Sequence, residues 1–341
     1  NGSVFNAQQT SVDETTTIAA NATETGDGGI AIIWADDATT FSGHVESKGG
    51  LQSGNGGFVE ISGANLLNFS GSADLSALQG TQGHVLLDPQ NWVITDGTAP
   101  TDTGTTSYVS SSTIEGWTNA SYELTASDSI TIQNLSDNEL TLQKGTSLTL
   151  TAETGSVTME DSTNDTIRAE QGNVTITGAG LFLGGINTGT EEHNAGGDSG
   201  IAGGDVTLTS SQGISVREIL TAGSLTTPPH HSPDGGAVVI TATDGDIDIA
   251  NSIKTSSFVN GDEAGRGGNV SIQSAQGSVT TGTIESSSIA TGDISANAGN
   301  VAIQAATTIN TGGIDASSIA YRTSGNGGSI QFEAPDGVTV A

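Results

Sequence analysis

"GDGGIAIIWADD", residues 26–37, opens on two glycines beside an acid. A short apolar run follows, reaches Trp34 and stops at Asp36 and Asp37. "GNGGFVEISG" (54–63) repeats that opening 28 residues later. A Gly-Gly turn feeding a five- or six-residue apolar strand is too short to enclose a core by itself. Its recurrence therefore decides the fold.

The recurrence continues to the end of the chain. Gly172, Gly204, Gly236, Gly268, Gly299 and Gly328 fall into register at spacings of 32, 32, 32, 31 and 29. Two residues after each glycine stand Val174, Val206, Val238, Val270, Val301 and Ile330. Two residues further stand Ile176, Leu208, Ile240, Ile272, Ile303 and Phe332. Alternation of period two marks strands, and a fixed period of about 30 residues marks a repeat architecture. Each copy holds two more short strands. The second is "GISV" (213–216), "GDIDI" (245–249), "GSVT" (277–280) or "GVTV" (337–340). The third is "EIL" (218–220), "SIKT" (252–255), "TIESS" (283–287) or "GIDASS" (313–318). Three short strands cannot bury a core, but coils stacked in parallel at about 4.8 Å can. The expected fold is all-β: a right-handed parallel β-helix with three short strands per coil, its hand following the usual crossover rule. Glycine-rich excursions (187–204, 226–236, 259–268) follow the third strand and read as loops.

The corner glycines are expected to supply positive φ or close backbone approach. Asn173, Asp205, Asn269 and Asn300 form one column beside them, placed to hydrogen-bond from coil to coil. Three segments are expected: coils over 1–95, an irregular stretch or joint over 96–145, and regular repeats over 146–341. The irregular stretch reads as an insertion or as the joint between two β-helical segments, with coiling expected to resume at "SITIQNLSDNELTLQ" (129–143).

Composition bounds the function. Thirty-eight acids against seven bases give a formal charge of -31, which repels nucleic acid and anionic membrane surfaces. The charges are sparse and scattered among Gly, Ser, Thr and Ala, unlike the blocks of a disordered tail. There is no cysteine, hence no disulfide scaffold and no Cys-based zinc site. No apolar stretch is long enough to span a bilayer. "NGSVFNAQQT" (1–10) lacks the basic start and apolar core of a signal peptide; if the protein is exported, the chain is expected to be a mature segment or a fragment.

The opening stretch also carries a resemblance. Gly28–Asp36, "TTFSG" (39–43), Gly49–Gly50, Gly56–Gly63 and the Leu86–Pro89 motif "LLDP" occur in the order and spacing of the filamentous-haemagglutinin family. These are large exoproteins of bacterial two-partner secretion. The matching run, 26–95, covers about a fifth of the chain. Later stretches such as "GGNVSIQSAQGSVTTGTIESSS" (267–288) resemble repeats of cyanobacterial members. The Asn-Pro-Asn motifs of the family's secretion domain are absent, so the likeness is to the shaft just downstream of that domain. The resemblance implies export through an outer-membrane two-partner transporter. It also implies a place outside the cell or on its surface, and a role in adhesion towards a cell-surface or glycan ligand.

Candidate chemistry is sparse. A β-helical polysaccharide lyase or hydrolase would need converging carboxylates, often with a base. Arg217 and Lys254 read as following the third-strand isoleucine, with Glu285 and Asp315 in that place one coil on. That pattern favours an ion-pair ladder over catalysis. "DGDIDIAN" (244–251) imitates a calcium loop but carries Ile249 where glycine is required, so Asp246 and Asp248 are expected on a solvated strand face. No cofactor is expected; weak calcium binding by acidic turns stays open. His230 and His231 lack a third ligand for zinc. Trp34 is expected to pack at a coil corner, leaving Trp92 and Trp117, with His230 and His231, as the candidate binding surface. The leading expectation is a structural, non-enzymatic shaft of a surface adhesin. Because the pattern shows no evident cap, end-to-end self-association into a fibre is the alternative. A polysaccharide-active enzyme is the second.

Overall fold

The computed structural model describes residues 6–190, 202–225, 232–261 and 263–341. The chain is an all-β parallel solenoid with a single five-residue helix among the described residues, and it divides into two compact units, Asn1–Glu160 and Asp161–Ala341.

In the first unit, strands Ile30–Ala35, Phe58–Gly63, His84–Asp88, Ser121–Ala126 and Leu148–Ala152 lie side by side in parallel. Their register sets Ile33, Ile61, Leu87, Leu124 and Leu150 in one inward column. Every member of that column is buried. The alternate residues point outward, as a pleated strand with one wet face requires. The remaining faces of the first coils are Gln9–Val12, Ala38–Phe41 and Leu66–Phe69, then Thr17–Ala19, His44–Glu46 and Ser72–Asp74.

The stretch expected to be irregular is an ordered insertion. Thr106–Ser110 pairs in parallel with Asn91–Thr95, and a helix, Ser111–Glu115, follows it. The Ser110 hydroxyl caps that helix by accepting from the Thr113 N–H at 3.1 Å. On its other side the inserted strand meets Leu67, whose N–H donates to the Ser107 hydroxyl at 2.8 Å. The insertion is thus wedged beside the last strand of the three-stranded sheet. Coiling resumes at Ser121, which sits in register with His84, and not at Ser129. An aromatic column runs through the wedge. The Phe41 and Phe69 rings stack at 5.9 Å, Trp117 meets Phe69 edge-on at 6.4 Å, and Trp117 stacks on Tyr122 at 4.3 Å.

In the first strand of each coil the second unit keeps the expected register without a slip. Val174, Val206, Val238, Val270, Val301 and Ile330 are directly paired, as are Ile176, Leu208, Ile240, Ile272, Ile303 and Phe332. The second and third strands expected of each coil join differently. Leu181–Asn187, Ile214–Leu220, Ile247–Lys254 and Val279–Glu285 are continuous strands. Register shifts on both sides of Ile247–Lys254 mark one bulge, an extra residue between Ile249 and Ile253, where the sequence suggests a corner. The excursion 259–267 is not wholly loop. Glu263–Ala264 pairs with Ile294–Ser295, and Ser257–Val259 pairs with Ser288–Ala290. Val259, Ala264 and Ala290 bury a small core of their own there.

The glycine column is explained by close approach and not by positive φ. A Cβ on Gly204, Gly236, Gly268, Gly299 or Gly328 would overlap the carbonyl oxygen of the glycine one coil before it. None of these residues is among those with positive φ. Three of these corners are clamped from inside. The buried hydroxyls of Thr188, Thr221 and Thr255 donate to the carbonyls of Gly204, Gly236 and Gly268 at 2.5, 2.6 and 2.7 Å. The same three glycines donate their N–H groups back to the carbonyls of those threonines. A buried polar column is stable because every member is paired.

Candidate functional site

The strand phase decides which tryptophan meets solvent, and it reverses the expectation. Ile33 and Ala35 point inward, so Trp34 points out, 37 % exposed, beside Ile30 and Ile32. Trp92 shares its inward phase with Ile94 and is fully buried, and its indole N–H donates to the Leu87 carbonyl at 3.3 Å. Trp117 is 5 % exposed within the aromatic column. Trp92 and Trp117 are core residues and not a binding surface. His230 and His231 lie outside the described residues, as do parts of the loops 187–203 and 226–235.

Arg217 is also displaced from its expected place. Ile219, Ile253, Ile284 and Ile314 share a column, and the residues following them are Leu220, Lys254, Glu285 and Asp315. Lys254 and Glu285 form the expected rung at 3.5 Å. Arg217 instead precedes Ile219 by two residues. Its guanidinium donates to the carbonyls of Thr163 and Asn164 and to the Thr166 hydroxyl, and it pairs with Glu218 at 3.2 Å. It holds a turn. In "DGDIDIAN", Asp246 and Asp248 are exposed and Ile247 and Ile249 buried, as the phase requires. The Asp246 carboxylate accepts the Ser278 N–H and hydroxyl at 2.7 and 2.8 Å, which makes it a link between coils. Those bonds hold Asp246 below its ordinary pKa.

Two places in the first unit gather chemistry. The first is the outward face of the long sheet. Trp34, Ser62 and Asp88 are aligned across three strands, and four residues back along the same strands Phe58 stacks on His84 at 6.0 Å. His84 Nε2 is 2.8 Å from Glu123 Oε2. Burial, then the charges of Glu153, Glu60 and Glu123, push Asp88 up to about 6. Asp88 Oδ1 is shielded from water and has no hydrogen-bond partner. Among the described residues no three His, Asp or Glu side chains are arranged to hold a metal ion.

The second is a cleft of about 480 Å³ between the insertion and the strand Leu66–Phe69. Tyr108 and Pro100 supply apolar surface, and Asn68, Ser70 and Ser112 supply amide and hydroxyl groups. Asp102 enters it with Oδ1 accepting the Tyr108 N–H at 2.9 Å. Its Oδ2 is shielded and has no hydrogen-bond partner. Burial raises the Asp102 pKa, partly offset by the Tyr108 N–H and the facing Asn68 amide. Neither Asp102 nor Tyr108 stands out in the sequence. The cleft exists only because the insertion folds back on an earlier coil, a contact that no repeat period announces.

Fold and sites together define the class: a parallel β-solenoid repeat protein with its polar chemistry on an insertion and an outward sheet face. Neither a protein family nor a curated protein matches the chain by sequence. No helix among the described residues is long and apolar enough to cross a membrane.

Proposed function

We propose that this chain is a shaft segment of an exported bacterial surface protein of adhesin type, acting outside the cell as a rigid spacer that carries binding surfaces. The observation that carries the reading is how the haemagglutinin-like run maps onto the coils. Its strands "IAIIWA", "FVEISG" and "HVLLD" are three successive rungs of one sheet. Its Gly-Gly turns are corners where backbones of adjacent coils touch. A motif run that encodes stacking, and not a catalytic constellation, supports a structural role. Export by an outer-membrane two-partner transporter is part of the same proposal, as are attachment to a cell-surface or glycan ligand and end-to-end self-association. The test is genetic context joined to secretion. The reading frame should begin with a secretion domain and lie beside a transporter gene. Deleting that transporter should abolish appearance of the protein outside the cell. Secretion unaffected by that deletion would sink the proposal.

One observation favours a second reading, a polysaccharide-cleaving enzyme. Asp88, held near 6 among Glu60, Glu123 and Glu153, has the acidity of a general acid. Release of reducing ends from acidic, neutral or amino polysaccharides at pH 5–6, abolished in Asp88→Asn, would establish it. We expect no release.

A further inference from the structure

The geometry points to the cleft beside the insertion as a binding site for a neutral saccharide, with Tyr108 as its apolar wall and Asp102 and Asn68 as its hydrogen-bonding groups. The inference stands on the cleft alone and does not depend on the shaft reading.

Size comes first. The cleft holds about 480 Å³, within the roughly 300–1,000 Å³ typical of small-molecule sites. That is room for one or two sugar rings and too little for a folded partner. Its lining is next. A sugar ring offers an apolar C–H face and a rim of hydroxyls, each able to donate and accept. The Tyr108 ring, with Pro100, suits the face. The Ser70 and Ser112 hydroxyls and the Asn68 amide, all exposed, suit the rim because each also donates and accepts.

Asp102 supplies direction. One carboxyl oxygen is already occupied by the Tyr108 N–H, while Oδ2 is shielded from water and unpartnered. A buried acceptor left empty is costly, so the site favours a ligand that brings a donor. A hydroxyl does so without charge. Asp102 is the sole charged group on the lining. An anionic sugar would therefore meet a carboxylate with no base to offset it, inside a chain of net charge -31. A divalent cation would find a single carboxylate where such ions take six or more oxygens.

The experiment is an amide-resolved NMR titration of the whole chain with a panel of methyl pyranosides (glucoside, galactoside, mannoside and N-acetylglucosaminide). D-Glucuronate and calcium chloride are run in parallel. At least one neutral glycoside should bind, shifting amides within 97–113 and around Asn68. Its Kd should rise at least tenfold in Tyr108→Ala and in Asp102→Ala. Asn68→Leu provides a variant at an exposed position that should keep the melting temperature and lose the same binding. The proposal is overturned if no neutral glycoside shifts those amides, or if glucuronate or calcium binds the cleft more tightly. It is equally overturned if the glycoside binds Asn68→Leu and Tyr108→Ala as it binds the parent.

Discussion

The side-chain oxygen of Asn269 accepts the backbone N–H of Asn300, one coil on, at 2.8 Å. Asn300 does the same for Ser329 at 2.8 Å, and Asn173 for Asp205 at 2.8 Å. Asp205 in turn accepts from Ala237 at 2.7 Å. The column is broken at Ala237, which has no acceptor to offer Asn269. Ala237→Asn should restore the missing rung and add about 0.5–1.5 kcal/mol, the ordinary net worth of one hydrogen bond. Thermal melting should rise by a few degrees, roughly 2–4 °C per kcal/mol for a unit of this size. A melting temperature unchanged or lowered would show that these rungs follow from stacking without supporting it.

Val270 is 1 % exposed in the inward column, and Ser271 faces solvent. Val270→Asp buries an unpaired carboxylate and should destabilise by on the order of 3–5 kcal/mol. Ser271→Asp should stay within about 0.5 kcal/mol. Chemical denaturation of the two variants side by side checks the strand phase; equal losses would refute it.

The tryptophans should separate in the same way. Trp117→Ala empties the aromatic column against Phe69 and Tyr122, and about 3–5 kcal/mol should be lost. Trp34→Ala removes a ring already partly in water and should change stability by roughly 1 kcal/mol or less. Urea midpoints of both variants decide the matter, and a reversed order would place Trp34 in the core.

Asp88 gives the stability a pH signature. Its folded pKa, about 6, lies above the ordinary carboxylate value, so the folded chain binds the proton more tightly than the unfolded chain does. The group is most favourable to folding when protonated. That contribution is fully present below about pH 4 and is lost as pH rises through about 6. Asp88→Asn removes the charge and should stabilise the chain at pH 7–8 by on the order of 1–2 kcal/mol, once solvent screening of this partly exposed group is allowed for. Near pH 4 the variant and the parent should melt alike. Paired melting curves at pH 4 and pH 8 test this, and a variant less stable than the parent at pH 8 would contradict it.

How much of this was legible differs by residue. Val174 to Ile330 and Ile176 to Phe332 are paired in the structure as their sequence spacing implies, because a stacked coil maps each period onto the next with no freedom of register. The glycine column is legible for the same reason, although its cause is carbonyl contact and not positive φ. Thr188, Thr221 and Thr255 were not legible. A threonine after the third strand looks like any turn residue until the corner glycine closes over it. Arg217 was misplaced because it precedes Ile219 by two residues, on the near side of the third-strand isoleucine and not beyond it as Lys254 lies beyond Ile253.

The amino-acid sequence by itself determined the parallel β-solenoid, since period-two strands recurring about every 30 residues have no other way to bury their apolar faces. It determined the acidic, cysteine-free character, which is additive over residues and needs no geometry. Only the tertiary structure decided which tryptophans face water, because a single-residue change of phase turns a strand's side chains to the opposite face. It also decided that residues 97–119 form a wedge with a cleft. That arrangement brings Asp102 and Tyr108 against Asn68 across more than 30 residues of chain. Such a contact belongs to the folded chain, where non-periodic segments meet by packing and not by repeat.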